Sequence, residues 1–448
     1  MPHPAHPLPP LPPLAPGLAL VRRRGEPLAR GDLIGEALGL AGGLPRASGL
    51  VNLCEDRGHF IAGLLAALVR GIPCLLPPSA AVPSIEESAA GCPGALCLCD
   101  RPIEGLSLPQ WRVDERSAGC AGPGVLPAID QGRECVLAFT SGSTGRPQAN
   151  PKRWVHLLAG AVSAGRRFGI GPGSTLVVTV PAQHMYGLEL SVLVPLAVGA
   201  AVDAGRPFFP EDVRLALARV PPPRVLVTTP VHLAACVERM DGGWPAVELV
   251  ISATAPLSPE LAGAVERRLG TRVCEIYGCT EAGSMASRRT LDGPRWRWYE
   301  GIGPRQLADG VAVSGEILAG EVRLADRLEL HGDGSFSLLG RGADLVKVAG
   351  KRASLADLNL KLAAIEGVVE GVFVVPEGAG PESARLGAVA VAPGLDRETL
   401  LAALRQRLDP AFVPRPLVLV ERLPRNATGK IPREALLALI AGRGGERS

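Results

Sequence analysis

Between residues 154 and 277 the sequence keeps exchanging one period for another, and this alternation limits the possible folds more than any other feature. Residues 154–168 place apolar side chains at helical spacing and stop at Gly169. Residues 175–180 (TLVVTV) form a β-branched run, followed by the loop Pro181-Ala182-Gln183-His184-Met185-Tyr186-Gly187 and a second helical stretch. The exchange then repeats, with helices expected over 211–219, 231–239 and 258–269 and strands over 224–229, 247–252 and 272–277. Strands separated by helices of this length predict a largely parallel sheet with helices on its faces.

Outside that stretch the pattern is coarser. Residues 1–16 are Pro-rich with no charged start, which reads as a flexible tail and not as a secretory leader. A buried helix is expected over 60–69, ending at Gly71, and a strand over 72–76, stopped by Pro77-Pro78. Residues 79–132 are less regular and carry no assignable chemistry. Near Gly293 the character changes, and 311–340 is Gly-rich with short alternating runs at 315–318, 321–324 and 335–338. These runs suggest antiparallel strands capping the first domain. The segment Gly340-Arg341-Gly342-Ala343-Asp344 reads as a hinge. Beyond it, helices are expected over 354–365, 398–408 and 433–441, with strands over 368–375, 387–391 and 417–420. The expected fold is therefore α/β: a large domain over 17–340, mostly parallel sheets with a β-rich subdomain, and a small α+β lid over 341–448.

Composition narrows the function classes. Hydrophobic residues make up 47% and charged residues 20%, so the chain is globular, and 448 residues suffice for two or more domains. A net charge of +3 is too balanced to imply nucleic-acid binding. Ten cysteines, with Cys54 and Cys74 inside apolar runs, fit reduced core thiols in a cytoplasmic protein. Cys92, Cys97 and Cys99 lack paired CxxC spacing and a nearby His, which favours buried thiols over a metal site. The apolar stretch 188–204 carries Glu189, Pro195 and Asp203, so it reads as a core helix followed by a strand, in a soluble protein.

The chemistry gathers at expected strand ends, where open α/β sheets bind ligands. The stretch 136–154, VLAFTSGSTGRPQANPKRW, breaks from an apolar run into Thr140, Ser141, Gly142, Ser143, Thr144 and Gly145. Hydroxyls and glycines so densely packed cannot continue a buried strand; they suit an ordinary turn or a loop that cradles an anion. His184, the segment Ser252-Ala253-Thr254-Ala255-Pro256-Leu257 and the segment Tyr277-Gly278-Cys279-Thr280-Glu281 occupy three further strand ends. Tyr277 offers a flat ring for stacking, Thr280 a hydroxyl for a phosphate, and Glu281 a hard oxygen for Mg²⁺. Cations follow on loops of the second domain: Arg341, Lys347, Lys351, Arg352 and Lys430.

Four motifs in one order, TSGSTGRP at 140–147, YGCTE at 277–281, the stretch 340–352 and PRNATGK at 424–430, resemble the core motifs of the adenylate-forming superfamily. That superfamily includes acyl- and aryl-CoA synthetases, nonribosomal adenylation domains and luciferases. The stretches 52–57 (NLCEDR) and 139–154 further resemble short acyl carrier protein ligases of aryl polyene and xanthomonadin-type pathways. The resemblance implies a ligase that makes an acyl-adenylate from ATP, with Mg²⁺, and passes the acyl group to a phosphopantetheine thiol. The thiol belongs to an acyl carrier protein, or alternatively to free CoA; a catalytically degenerate nucleotide-binding protein is a third reading. It also implies roles. The 140–145 loop would hold the β- and γ-phosphates, Thr254 and Ala255 would line the adenine pocket, and Tyr277 would stack on the base. Thr280 would contact the α-phosphate, Glu281 would bind Mg²⁺, and Asp326 would hold the ribose hydroxyls with Arg341 beside it. Lys430 would bridge carboxylate and phosphate oxygens, and His184 would gate the acyl pocket.

Two positions depart from that pattern. Gln148 stands where a lysine is expected, which makes Lys152 the candidate substitute, and Ala343 stands where the hinge is expected to carry an acid, with Asp344 next. The acid itself is not fixed by the sequence; an aryl acid such as a hydroxybenzoate, or a fatty acid, is what the resemblance implies.

Overall fold

The computed structural model describes residues 11–113, 122–141, 147–240, 243–341, 345–348, 351–376, 385–425 and 431–442. Contacts divide the chain into two compact units, Met1–Arg305 with Val313–Val322, and Gln306–Ala312 with Arg323–Ser448. The hinge expected at 340–344 lies within the second unit, and 342–344 fall outside the described residues.

The first unit holds two sheets. One is six-stranded in the order Gln110–Arg112, Leu96–Cys99, Leu50–Asn52, Cys74–Leu76, Glu134–Ser141, Pro147–Arg153. All its pairs are parallel except the last, which is a hairpin. In the other, Arg272–Cys279, Leu249–Ser252, Arg224–Thr228, Thr175–Val178, Ala201–Asp203 and Ala19–Arg23 are successive parallel neighbours. Antiparallel strands flank this run: Gly283–Arg289 and Arg295–Trp298 at one end, Glu26–Ala29 at the other. The central strands are largely apolar because helices cover them, and Val177, Leu226, Val250 and Val273 share one buried cluster with Val213, Leu217, Leu233 and Val265 of those helices. Among the described residues no helix is long and apolar enough to cross a membrane.

The helix expected over 60–69 runs Arg57–Arg70, one turn earlier, because Asp56 caps it by accepting from His59 N at 3.1 Å. Gly71, left-handed at φ 68°, closes it. Region 79–132, which has no clear period, contains the helix Val82–Ala89 and two of the sheet strands. Three expectations need correction. The hydroxyl cluster does not end its strand at Phe139: Thr140 and Ser141 continue it, opposite Gln148 and Pro147. Polar side chains are tolerated there because strand Pro147–Arg153 lies at the sheet's edge and pairs through its backbone. The helix within 188–204 is also interrupted by a π-helical turn, Glu189–Leu193, between Met185–Leu188 and Val194–Val198. The stretch 315–318 is a turn, with Leu318 N bonded to Gly315 O at 3.0 Å, after the strand Gly310–Gly315.

In the second unit, Asp326–Leu330 and Ser335–Arg341 form a hairpin, and Leu345–Val348 with Lys351–Ser354 form another. Strands Glu370–Val374, Gly387–Val391 and Leu417–Leu419 make a small sheet. Its Phe373, Ala388 and Leu417 pack with Leu358 and Leu362 of helix Leu355–Ala363 and Leu400 and Leu404 of helix Arg397–Arg407. Val374, Val389 and Val418, on the opposite face, pack with Leu436 and Ile440 of helix Arg433–Gly442. Both faces are buried, so this unit has its own core.

Candidate active site

Strands Thr175–Val178, Arg224–Thr228, Leu249–Ser252 and Arg272–Cys279 are parallel neighbours, so their carboxyl ends share one edge. The loops leaving that edge carry His184, Thr254 with Ala255, and Thr280 with Glu281, three of the clusters expected at strand ends. Thr254 is exposed and held at φ 79°, a left-handed conformation that a β-branched residue adopts only under constraint. His184 precedes the short helix Met185–Leu188: its N–H donates to Pro181 O at 3.3 Å and its carbonyl accepts from Leu188 N at 2.7 Å. Gly187 makes this loop possible, since a Cβ there would lie 1.9 Å from Pro181 O. The Tyr186 hydroxyl sits 2.9 Å from Ile251 O and 3.2 Å from Thr228 O, tying the loop to two strand ends.

Tyr277 is buried, and its ring meets Trp296 at 5.9 Å between centroids and 60° between planes. The Arg288 guanidinium lies 4.7 Å from the centre of Trp296 and donates to Glu275 Oε2 at 2.6 Å. The Tyr277 ring is thus backed by a second ring and an anchored cation. After Tyr277 the ladder bulges, and the turn Thr280-Glu281-Ala282 returns as strand Gly283–Arg289. Glu281 is exposed. One accessible carboxylate beside a threonine hydroxyl suits Mg²⁺, which takes most of its ligands from phosphate oxygens and water.

Lys152 comes to this turn from the other sheet. It lies on strand Pro147–Arg153, half-buried, and its ammonium donates to the Glu281 main-chain carbonyl. Burial lowers the Lys152 pKa, opposed by Cys279, Glu281 and Glu189. Gln148, nearer the hairpin tip, is exposed. Behind the turn, Glu189 is only 6% exposed and grips Ser284, accepting from its N–H at 3.0 Å and from its hydroxyl. Burial raises the Glu189 pKa, while the two Ser284 donors and Lys152 act against it.

Arg57, fully buried, donates to the carbonyls of Val178 and Val180, each at 2.8 Å, and to that of Gly205. It thereby clamps the strand end from which the His184 loop departs. Sequence reasoning overlooks Arg57, Tyr186, Glu189 and Trp296 as contributors. The alternation in 295–298 (RWRW) is a usable signal for Trp296; a buried arginine or glutamate leaves none.

In the second unit Asp326 and Arg341 are cross-strand partners in one hairpin, which puts the expected ribose-binding residue beside the expected hinge arginine. Of the remaining expected positions, Gly142, Ser143, Thr144, Gly145 and Lys430 lie outside the described residues. The cysteines named above are free: Cys54, Cys74, Cys97 and Cys99 are buried, Cys92 partly so, and burial pushes Cys97 up to about 12.

The sulfoacetate–CoA ligase of Cupriavidus necator is 26% identical over 354 residues, 70% of this chain and 68% of that protein. The 4-coumarate–CoA ligase of Halorhodospira halophila is 29% identical over 308 residues, covering 65% and 73%. The p-hydroxybenzoic acid–AMP ligase of Mycobacterium marinum is 24% identical over 444 residues, covering 88% and 62%. Among solved structures, ATP-bound MatB from Rhodopseudomonas palustris superposes with a TM-score of 0.80 at 20% identity, over 94% of this chain and 95% of that one, a likeness of fold. The AMP-binding enzyme family profile matches residues 64–314. The chain belongs to the AMP-binding enzyme family, within the adenylate-forming superfamily.

Proposed function

We propose that this protein activates a carboxylic acid and transfers it to a thiol. The carboxylate attacks the α-phosphate of Mg·ATP, giving acyl-adenylate and pyrophosphate; a phosphopantetheine thiol then displaces AMP, giving a thioester. The observation that carries this reading is the contact from Lys152 to the Glu281 carbonyl, which ties the strand Pro147–Arg153 to the YGCTE turn. Two anions must meet in this reaction, so positioned cations and donors supply much of the acceleration. In the proposed roles the segment 140–145 and Lys152 hold the β- and γ-phosphates, Thr280 the α-phosphate and Glu281 the Mg²⁺. Thr254, Ala255 and Tyr277 hold the adenine, and Asp326 holds the ribose with Arg341 beside it. His184 stands at the acid, and Lys430 bridges acid and phosphate.

The acid is proposed to be aryl, supported by the relatives that act on 4-coumarate and p-hydroxybenzoate. An acyl carrier protein is the proposed acceptor, on the resemblance carried by 52–57 and 139–154; the CoA ligases among the relatives favour free CoA as the second reading. Acid-dependent ATP–pyrophosphate exchange across a panel of aryl and alkyl acids tests the first step. Exchange with an aryl acid supports the proposal, and no exchange with any acid sinks it. Offering the adenylated acid either CoA or a holo carrier protein then separates the acceptors, and robust turnover with CoA alone overturns the carrier-protein reading.

A further inference from the structure

We infer that Glu189 is a positioning residue that fixes the Thr280–Glu281 turn through its two-point grip on Ser284. This rests on the proposed role of that turn at the α-phosphate and Mg²⁺. The turn has two legs, and each is pinned. On the incoming leg the ladder bulges between Tyr277 and Gly278, where a Cβ on Gly278 would lie 2.4 Å from Gly283 O. On the outgoing leg Glu189 Oε1 takes the Ser284 N–H at 3.0 Å and Oε2 takes the Ser284 hydroxyl. Gly283, left-handed at φ 78°, has no room for a side chain because its Cβ would sit 2.6 Å from Glu189 Oε1.

A buried carboxylate is a costly way to satisfy one N–H, since a neutral acceptor would do so without desolvating a charge. Its gain is geometric: two coplanar oxygens hold the N–H and O–H of one residue and so fix the backbone orientation just after the turn. The π-helical turn Glu189–Leu193 begins at this residue, and such turns, set inside α-helices, are frequent at functional sites. Every residue of that turn is buried, so Glu189 is aimed from a rigid wall. Lys152 adds a third contact to the turn, on the Glu281 carbonyl.

The test uses acid-dependent exchange in the full-length enzyme with an acid that the wild type accepts; a wild type without exchange fails the proposed function, not this inference. Glu189→Ala is expected to lower kcat by about 10²-fold with the KM for the acid within about threefold, the pattern of an interaction that matters in the transition state. Glu189→Gln keeps an oxygen for the Ser284 N–H and is expected to recover at least about tenfold of that loss. Ser284→Ala, which removes only the hydroxyl donor, should fall between wild type and Glu189→Ala. It carries the test alone if the Glu189 variants do not fold. A raised KM for the acid at unchanged kcat would make Glu189 a wall of the acid pocket and overturn the inference. A fall in melting temperature with unchanged kcat per folded site would make it purely structural and overturn it equally.

Discussion

At the scale of single residues, the question raised by Gln148 comes down to where a cation can stand. Gln148 is exposed on its hairpin, whereas four positions on, along the same face of the strand, Lys152 is half-buried and bonded to the YGCTE turn. An ammonium reached by partial burial is a stronger partner for phosphate than one in open water, since the lower local dielectric weakens screening. Lys152→Met is therefore expected to raise the KM for MgATP by about tenfold or more and to slow exchange, while Gln148→Lys leaves both within about threefold. Initial rates of exchange at varied MgATP check this. Equal effects at the two positions would return the phosphate role to 148.

At the scale of elements, Arg57 joins helix Arg57–Arg70 to the ends of two strands in the other sheet. Burial lowers its pKa, and Asp203 acts against that shift. Arg57→Met leaves three strand-end carbonyls without this donor, and each buried carbonyl left unpaired costs about 1–3 kcal/mol. We expect a loss of roughly 3 kcal/mol in urea unfolding together with a raised KM for the acid, because the His184 loop departs from the Val178–Val180 end of this clamp. An unchanged KM would separate the clamp from the site. This clamp also marks what the sequence could and could not disclose. Helix Trp154–Phe168 and strand Gly387–Val391 were legible to the residue because period and closing turns are local signals. Strand Pro147–Arg153 was not, since its polar, proline-containing sequence has no strand period and forms only by pairing with its neighbour. Arg57 and Glu189 find their partners 121 and 95 residues away, across separate elements, which no window of sequence can register.

At the scale of the whole molecule, the proposed roles are spread over two compact units, with Lys430 in the range of the second and the strand-end loops in the first. The two proposed steps differ in what they demand. Adenylation brings a carboxylate against a triphosphate and needs an added cation, whereas thiol attack on the acyl-adenylate releases AMP without crowding two anions. A residue that serves only the first step can be lost without harming the second. Lys430→Ala should lower acid-dependent pyrophosphate exchange by about 10²–10³-fold, yet form thioester from supplied acyl-adenylate within about threefold of wild type. The two half-reactions, measured separately on the same preparation, decide between outcomes. Equal losses in both would mean that Lys430 supports the fold or a shared binding step, and exchange within about threefold of wild type would remove it from the chemistry. Selective loss of exchange would locate the division of labour in one lysine and fit a site that is reassembled between steps.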